Sequence, residues 1–219
     1  MAVDIALLRA KLTTSILSDT LDALGAMEQA MRPFVRPLDD GFVIVGRART
    51  GLYMPVYHVT EGENPYAVEM ALVDDLKPGD VAVFACDGPS ERIGPWGELL
   101  STAARARGAV GCVTDGLVRD VRQIRQMGFP VFAGGIGPLD SKGRGMMMAM
   151  DVPVVCAGVR VEPGDLVMAD VDGVVVVPRA LEAQVIQAAL AKAEAEDRTR
   201  DELAAGAKLT DVFARHGVL

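Results

Sequence analysis

The chain has 219 residues, 50% of them hydrophobic and 5% aromatic, which is enough for one substantial core and makes a single domain over residues 1–219 the default. A net charge of −8 with no basic run argues against a nucleic-acid partner. The longest apolar stretch, residues 146–161, is interrupted by Asp151, Pro153 and Arg160 and does not read as a membrane span.

In chain order, the N-terminus carries Asp4 and lacks a basic segment ahead of a long apolar run, so no secretory leader is expected and the protein reads as cytoplasmic. Residues 3–11 predict a short helix. Thr13 or Thr14 caps a second one over 15–24, with Gly25 as its stop and Ile16, Leu17, Thr20, Leu21 and Leu24 on one packing face. Residues 31–40 are proline-rich and irregular, and residues 41–45 and 48–54 predict two strands. His58 is expected to pack. Residues 64–76 predict a helix with Ala67, Met70, Ala71 and Val73 inward. Residues 81–86 form a compact apolar strand ending at the breaker Asp87-Gly88-Pro89. After a second breaker at residues 94–97, residues 98–107 predict a helix stopped by Gly108. Residues 109–114 predict a strand, Gly116 a tight turn, and residues up to Met127-Gly128 a further helix. Strand candidates follow at 130–134, 146–150, 154–156, 159–161, 166–169 and 174–177. The glycines of the 135–145 loop do not make a dinucleotide fingerprint, and its Lys142 and Arg144 are candidates to touch an anion. Residues 178–205 predict the longest helix, starting at Pro178, and residues 209–216 a last short one. Cys86, Cys112 and Cys156 all sit in apolar runs without regular spacing, the signature of buried free thiols in a reducing compartment. Strands dominate the middle and helices the flanks, so the expected fold class is α+β, or a layered β/β/α domain.

Chemistry concentrates between Asp87 and Asp120. The backbone N–H groups of Gly97, Glu98, Leu99 and Leu100 open a helix and lack intrahelical acceptors, so they suit carboxylate or phosphate oxygens. The same stretch also reads as an ordinary strand–loop–helix connection. Arg119 offers a planar fork for a carboxylate, and Asp120 is a hard oxygen ligand suited to Mg²⁺ or Mn²⁺. A surface ion pair is the plainer account of those two. Trp96 and Phe132 are candidates to line a pocket. With His58 and His216 as the only histidines, a multi-histidine metal site is not expected within one chain, and neither a Gly-x-Ser-x-Gly elbow nor a Gly-Lys-Ser/Thr phosphate loop is present.

The Gly97-Glu98-Leu99-Leu100 loop, the Gly116-Leu117-Val118-Arg119-Asp120 loop and their spacing resemble the RraA-like family. The opening helix around Leu12 to Gly25 and the closing Glu196-Asp197-Arg198-Thr199-Arg200 segment are similar to it as well. That family includes class II pyruvate aldolases acting on 4-hydroxy-4-methyl-2-oxoglutarate and 4-carboxy-4-hydroxy-2-oxoadipate, and the regulator of ribonuclease E activity. The resemblance implies one domain in the swivelling β/β/α fold shared with phosphohistidine domains, with a C-terminal helical extension over about 178–219. It implies a divalent-metal-dependent lyase that releases pyruvate from a 4-hydroxy-2-oxo acid, with oxaloacetate decarboxylation as a side activity. Asp120 would hold Mg²⁺ or Mn²⁺. Arg119 and residues 97–100 would bind the oxo acid. Glu98, where the family often has aspartate, and Glu196, with Glu194 as its rival, would handle protons. Glu196 would enter a neighbour's site in a homo-oligomer, a trimer or dimer of trimers. The rival implication is a regulator that docks on a ribonuclease.

Overall fold

The computed structural model describes residues 4–218. Helices α1 (Ile5–Lys11) and α2 (Thr14–Ala23) open the chain, and α2 is capped by the Thr13 hydroxyl, which accepts from the Ile16 amide. The strands are β1 (Arg36–Pro37), β2 (Ile44–Pro55), β3 (Asp80–Ala85), β4 (Gly111–Val118), β5 (Val131–Ile136), β6 (Gly145–Met150), β7 (Val154–Cys156), β8 (Val159–Val161), β9 (Leu166–Asp170) and β10 (Gly173–Val177). Between and after them lie α3 (Ala67–Asp74), α4 (Glu98–Ala106), α5 (Val121–Met127), α6 (Glu182–Ala204) and α7 (Leu209–His216). Among the described residues no helix is long and apolar enough to cross a membrane.

Eight strands make one sheet in the order β1-β5-β4-β3-β2-β9-β10, with β6 pairing the far half of β2. The architecture is mixed α/β. Strands β2, β3, β4 and β5 run parallel, joined by helices, and antiparallel strands extend the sheet on both sides. The α+β expectation captures the antiparallel margins and the flanking helices; the parallel centre is an α/β feature it does not include. Alternation along the strands supplies two apolar faces. Ile44, Val167, Ala169, Val174 and Val176 point into the larger core, with Phe84, Trp96 and Phe132. Val45, Leu166, Met168, Val175 and Val177 meet Leu8, Leu17, Leu21, Val185 and Ala189 of α1, α2 and α6.

Five local expectations change. The two strands expected over 41–54 are one, because Arg47 stays in the ladder, opposite Asp80 and Leu166, while its guanidinium binds Glu182 with Nη2 2.7 Å from Oε1. Asp115 and Gly116 form no tight turn: the strand carries on to Val118 through a register shift between Thr114 and Leu117. Gly116 is needed there for close approach, since a Cβ would lie 2.9 Å from Pro95 Cδ and 3.0 Å from Ile93 O. The inward face of α3 is Glu69, Leu72 and Val73, continued by Leu76, while Ala67, Met70 and Ala71 are exposed. The longest helix begins at Glu182 rather than Pro178, because the Arg179 amide is held by Asp165 Oδ1 at 3.0 Å in a preceding turn. His58 is exposed rather than packed. All three cysteines are free and buried.

Candidate active site

Strands β3 and β4 are parallel neighbours ending at Ala85 and Val118, so their carboxyl ends share one edge of the sheet. Parallel sheets receive ligands at such an edge. The connection from β3 to α4 runs back along the end of β4. Leu117 N donates to Ile93 O at 2.8 Å, Arg119 N donates to Trp96 O at 3.1 Å, and Trp96 bridges Val118 in parallel. That pairing sets Gly97 against Arg119 and Asp120. A Cβ on Gly97 would stand 2.9 Å from Asp120 Oδ2 and 3.2 Å from Arg119 Cγ, so a side chain there would displace those two groups even though the extended backbone itself accepts one.

Asp120 adopts the left-handed conformation, φ 58 and ψ 31, which non-glycine residues rarely take and which costs on the order of 1–3 kcal/mol. It stands at the N-cap position of α5 and makes no capping bond. Its Oδ2 instead accepts from the Glu98 amide at 3.3 Å, across the cleft at the start of α4. Arg119 lies loosely between two carboxylates: Nε is 3.8 Å from Asp120 Oδ2 and Nη1 is 3.7 Å from Asp140 Oδ1. Both separations exceed a direct hydrogen bond, so the fork is not locked to either partner.

A pocket of about 330 Å³ opens over these groups. Gly97, Leu99, Leu100, Arg119 and Asp120 line it, as does Trp96, whose Nε1 donates to Ser101 Oγ at 2.8 Å. Glu98 does not line the pocket: its amide donates to Asp120 Oδ2, and its carboxylate accepts from Thr102 Oγ1 at 2.7 Å along the helix. Phe132 is buried in the core and takes no part, a correction that follows from β5 lying inside the sheet. Lys142 and Arg144 are also outside the pocket lining; Asp140 and Ser141 of the same loop enter it instead. Glu196 lies on α6, which packs on α2 across the sheet from Trp96, with Oε1 3.9 Å from Lys192. Within one chain it does not join the pocket, and neither does Glu194.

Three ionisable residues in the pocket escaped the sequence analysis: Tyr66, Glu69 and Asp140. The Tyr66 hydroxyl donates to Asp140 Oδ2, and burial, reinforced by that bond, pushes its pKa up to about 12. Glu69 is buried, bonded by the Tyr53 hydroxyl, and its pKa is raised to about 7, chiefly because burial penalises the carboxylate. The available signal was the spacing Glu69, Leu72, Val73, Leu76, which places the acid on the apolar stripe.

A family model described as RraA-like, Aldolase/RraA, matches residues 14–176. The chain belongs to the RraA-like family. This RraA-like protein is 35% identical over 188 residues to a Halalkalibacterium halodurans protein named "Putative 4-hydroxy-4-methyl-2-oxoglutarate aldolase", a match covering 86% of this chain and 82% of that one. It superposes on RraAS2 of Streptomyces coelicolor, described as an unusual member of the RNase ES inhibitor RraA protein family. That likeness has a TM-score of 0.81 and 31% identity, covering 90% of this chain and 96% of the other. An uncharacterized protein from Pseudomonas syringae pv. tomato superposes with a TM-score of 0.81 at 30% identity, covering 97% and 98%. The family match includes Gly97, Arg119 and Asp120 and stops before α6, which carries Glu196.

Proposed function

We propose that this RraA-like protein is a divalent-metal-dependent carbon–carbon lyase that cleaves a 4-hydroxy-2-oxo acid to pyruvate and a second oxo acid. The observation that carries the proposal is the Arg119–Asp120 pair facing the Gly97 turn across one pocket. The donor set fits a hydrated cation. Asp120 has one long amide contact on its carboxylate, and among the described residues no three His, Cys, Asp or Glu side chains gather around a common point. One carboxylate completed by waters suits Mg²⁺ or Mn²⁺ and not a structural zinc. Bound at Asp120, such an ion supplies Lewis acidity toward a 2-oxo carboxylate.

The protein's own groups do the rest. Arg119 holds a carboxylate or carbonyl oxygen and counters the negative charge that grows on the pyruvyl half as the bond between C3 and C4 breaks. The amides of residues 97–100, at the start of α4, bind further substrate oxygens. The 4-hydroxyl proton leaves through water to a carboxylate; Glu98, next to the Gly97 turn in the chain, and Glu196 of a neighbouring copy are the proposed acceptors. That second role requires a homo-oligomer, a trimer or dimer of trimers, with sites at subunit boundaries. Oxaloacetate decarboxylation follows from the same enolate chemistry. The proposal also takes residues 1–219 as one cytoplasmic domain of the swivelling β/β/α type, with α6 and α7 as its C-terminal extension.

A coupled pyruvate-release assay over 4-hydroxy-2-oxo acids and oxaloacetate tests it. Release that EDTA abolishes and Mg²⁺ or Mn²⁺ restores is expected; no release from any substrate, or release indifferent to EDTA, would refute it. The likeness to RraAS2 favours a second reading, a regulator that docks on a ribonuclease. Capture of a ribonuclease without metal-dependent turnover would select that one.

A further inference from the structure

Glu69 sits where α3 passes from the core to the pocket. It is 6% exposed and yet lines the cavity that holds Arg119 and Asp120. Its Oε2 takes the Tyr53 hydroxyl, which fixes the carboxyl group in place. Behind it an aromatic series excludes water: the Tyr53 ring lies 5.8 Å from Phe84, and Phe84 packs edge-on to Trp96 at 5.2 Å. Protons therefore reach this group from the pocket side. A buried acid with one hydroxyl partner is costly as a packing element, and a leucine there would extend the Leu72, Val73, Leu76 stripe.

A lyase of the proposed type needs such an acid. Breaking the C3–C4 bond leaves its electron pair on the pyruvyl half as an enolate, while the 4-hydroxyl proton has gone to the base. The enolate carbon must then gain a proton before pyruvate leaves. We propose that Glu69 is the acid that protonates the pyruvate enolate at its methylene carbon, a role that rests on the lyase reading above. The carboxyl O–H bond breaks, the new C–H bond forms on C3, and the Glu69 carboxylate regains a proton from pocket water.

The electrostatics agree. Burial holds the Glu69 pKa near 7, so the group keeps its proton close to neutrality, where a general acid is most effective. Asp140 raises the value, while the Tyr53 bond and Arg119 lower it. Tyr66 and the Cys86 thiol, both with raised pKa values, stay neutral beside it. Of the other elements packed on α3, β6 carries no ionisable side chain. The ionisable groups of α4 are engaged elsewhere, Glu98 with Thr102 and Arg105 with the Met127 carbonyl; Arg107, just past α4, binds Asp74 at the C-terminal end of α3, and Arg49 of β2 pairs with Asp75, Asp80 and Asp151.

The test is proton–deuterium exchange at the pyruvate methyl group in D₂O with Mg²⁺, followed by NMR beside the pyruvate-release assay. Glu69→Gln keeps the shape and removes the acid. It is expected to slow both exchange and turnover by about 10²-fold or more, and to abolish the fall of kcat as pH rises through 7. Inhibition by oxalate, an enolate mimic, should stay within about twofold. If the glutamine variant does not fold, Glu69→Asp withdraws the acid by one methylene and should slow exchange by about 10-fold with its thermal melt intact. Exchange within about threefold of wild type in whichever variant folds would overturn the role of Glu69 while pyruvate release left the lyase reading standing. A wild-type protein with neither exchange nor release would overturn both.

Discussion

Asp115 and Asp120 lie five residues apart along one strand end and have opposite fates. Asp115 is 1% exposed and accepts three backbone amides: Cys86 at 2.6 Å, Gly88 at 2.9 Å and Ala157 at 3.1 Å. It ties the end of β3, the loop after it and the β7–β8 hairpin into one body. Asp120 has a side chain 42% exposed, one long amide contact and a left-handed backbone. A carboxylate whose lone pairs are satisfied from inside builds structure; one held in strain with a single long amide contact keeps acceptor capacity for a ligand. The contrast separates a structural tie from a candidate ligand within one short stretch of chain.

The largest effect that sharpens this contrast is on Asp115. Asp115→Ala leaves two buried N–H groups and one half-buried one without their acceptor, a loss on the order of 5 kcal/mol at roughly 1–3 kcal/mol each. Thermal unfolding should fall by about 10–20 °C for a chain of this size. A change of only a degree or two would mean that Asp115 is not a structural tie. Asp120→Gly should behave in the reverse way. Glycine accepts φ 58 without strain, so the melting temperature should hold or rise slightly, while pyruvate release falls by about 10³-fold. A destabilised but active variant would invert the assignment of the two aspartates. The smallest effect belongs to Gly97→Ala. The added methyl presses on the Asp120 carboxylate, which yields by a few tenths of an ångström, so kcat/KM should drop by about 10-fold with stability lowered by about 1 kcal/mol. Unchanged kinetics would show that the approach of Gly97 to Asp120 does not matter to the site.

The sequence reveals the elements of this fold better than their relations. Caps and breakers marked α2 at Thr13 or Thr14, of which the structure uses Thr13, and α4 after Gly97, because those signals are local. The continuity of β2 through Arg47 and of β4 through Asp115 was hidden, since the partners that settle it, Glu182 for one and the amides of Cys86 and Ala157 for the other, come from distant parts of the chain. Asp115 and Asp120 look alike in the sequence, and only tertiary contacts distinguish the strand residue from the helix N-cap. At the site, Gly97, Arg119 and Asp120 were legible as a motif. Glu69 was not, because a charged residue on an apolar stripe is easily assigned to the solvent face. Tyr66 and Asp140 come from two loops whose meeting depends on the sheet order.

Metal binding measured apart from turnover addresses the central claim most directly. Mn²⁺ titrated into the protein in the presence of saturating oxalate, followed by water-proton relaxation, should show one ion bound per chain. In Asp120→Gly the affinity should fall by about 10²-fold with the fold unchanged. Equal Mn²⁺ affinity in the two proteins would contradict the assignment of Asp120, and with it the catalytic account of this pocket.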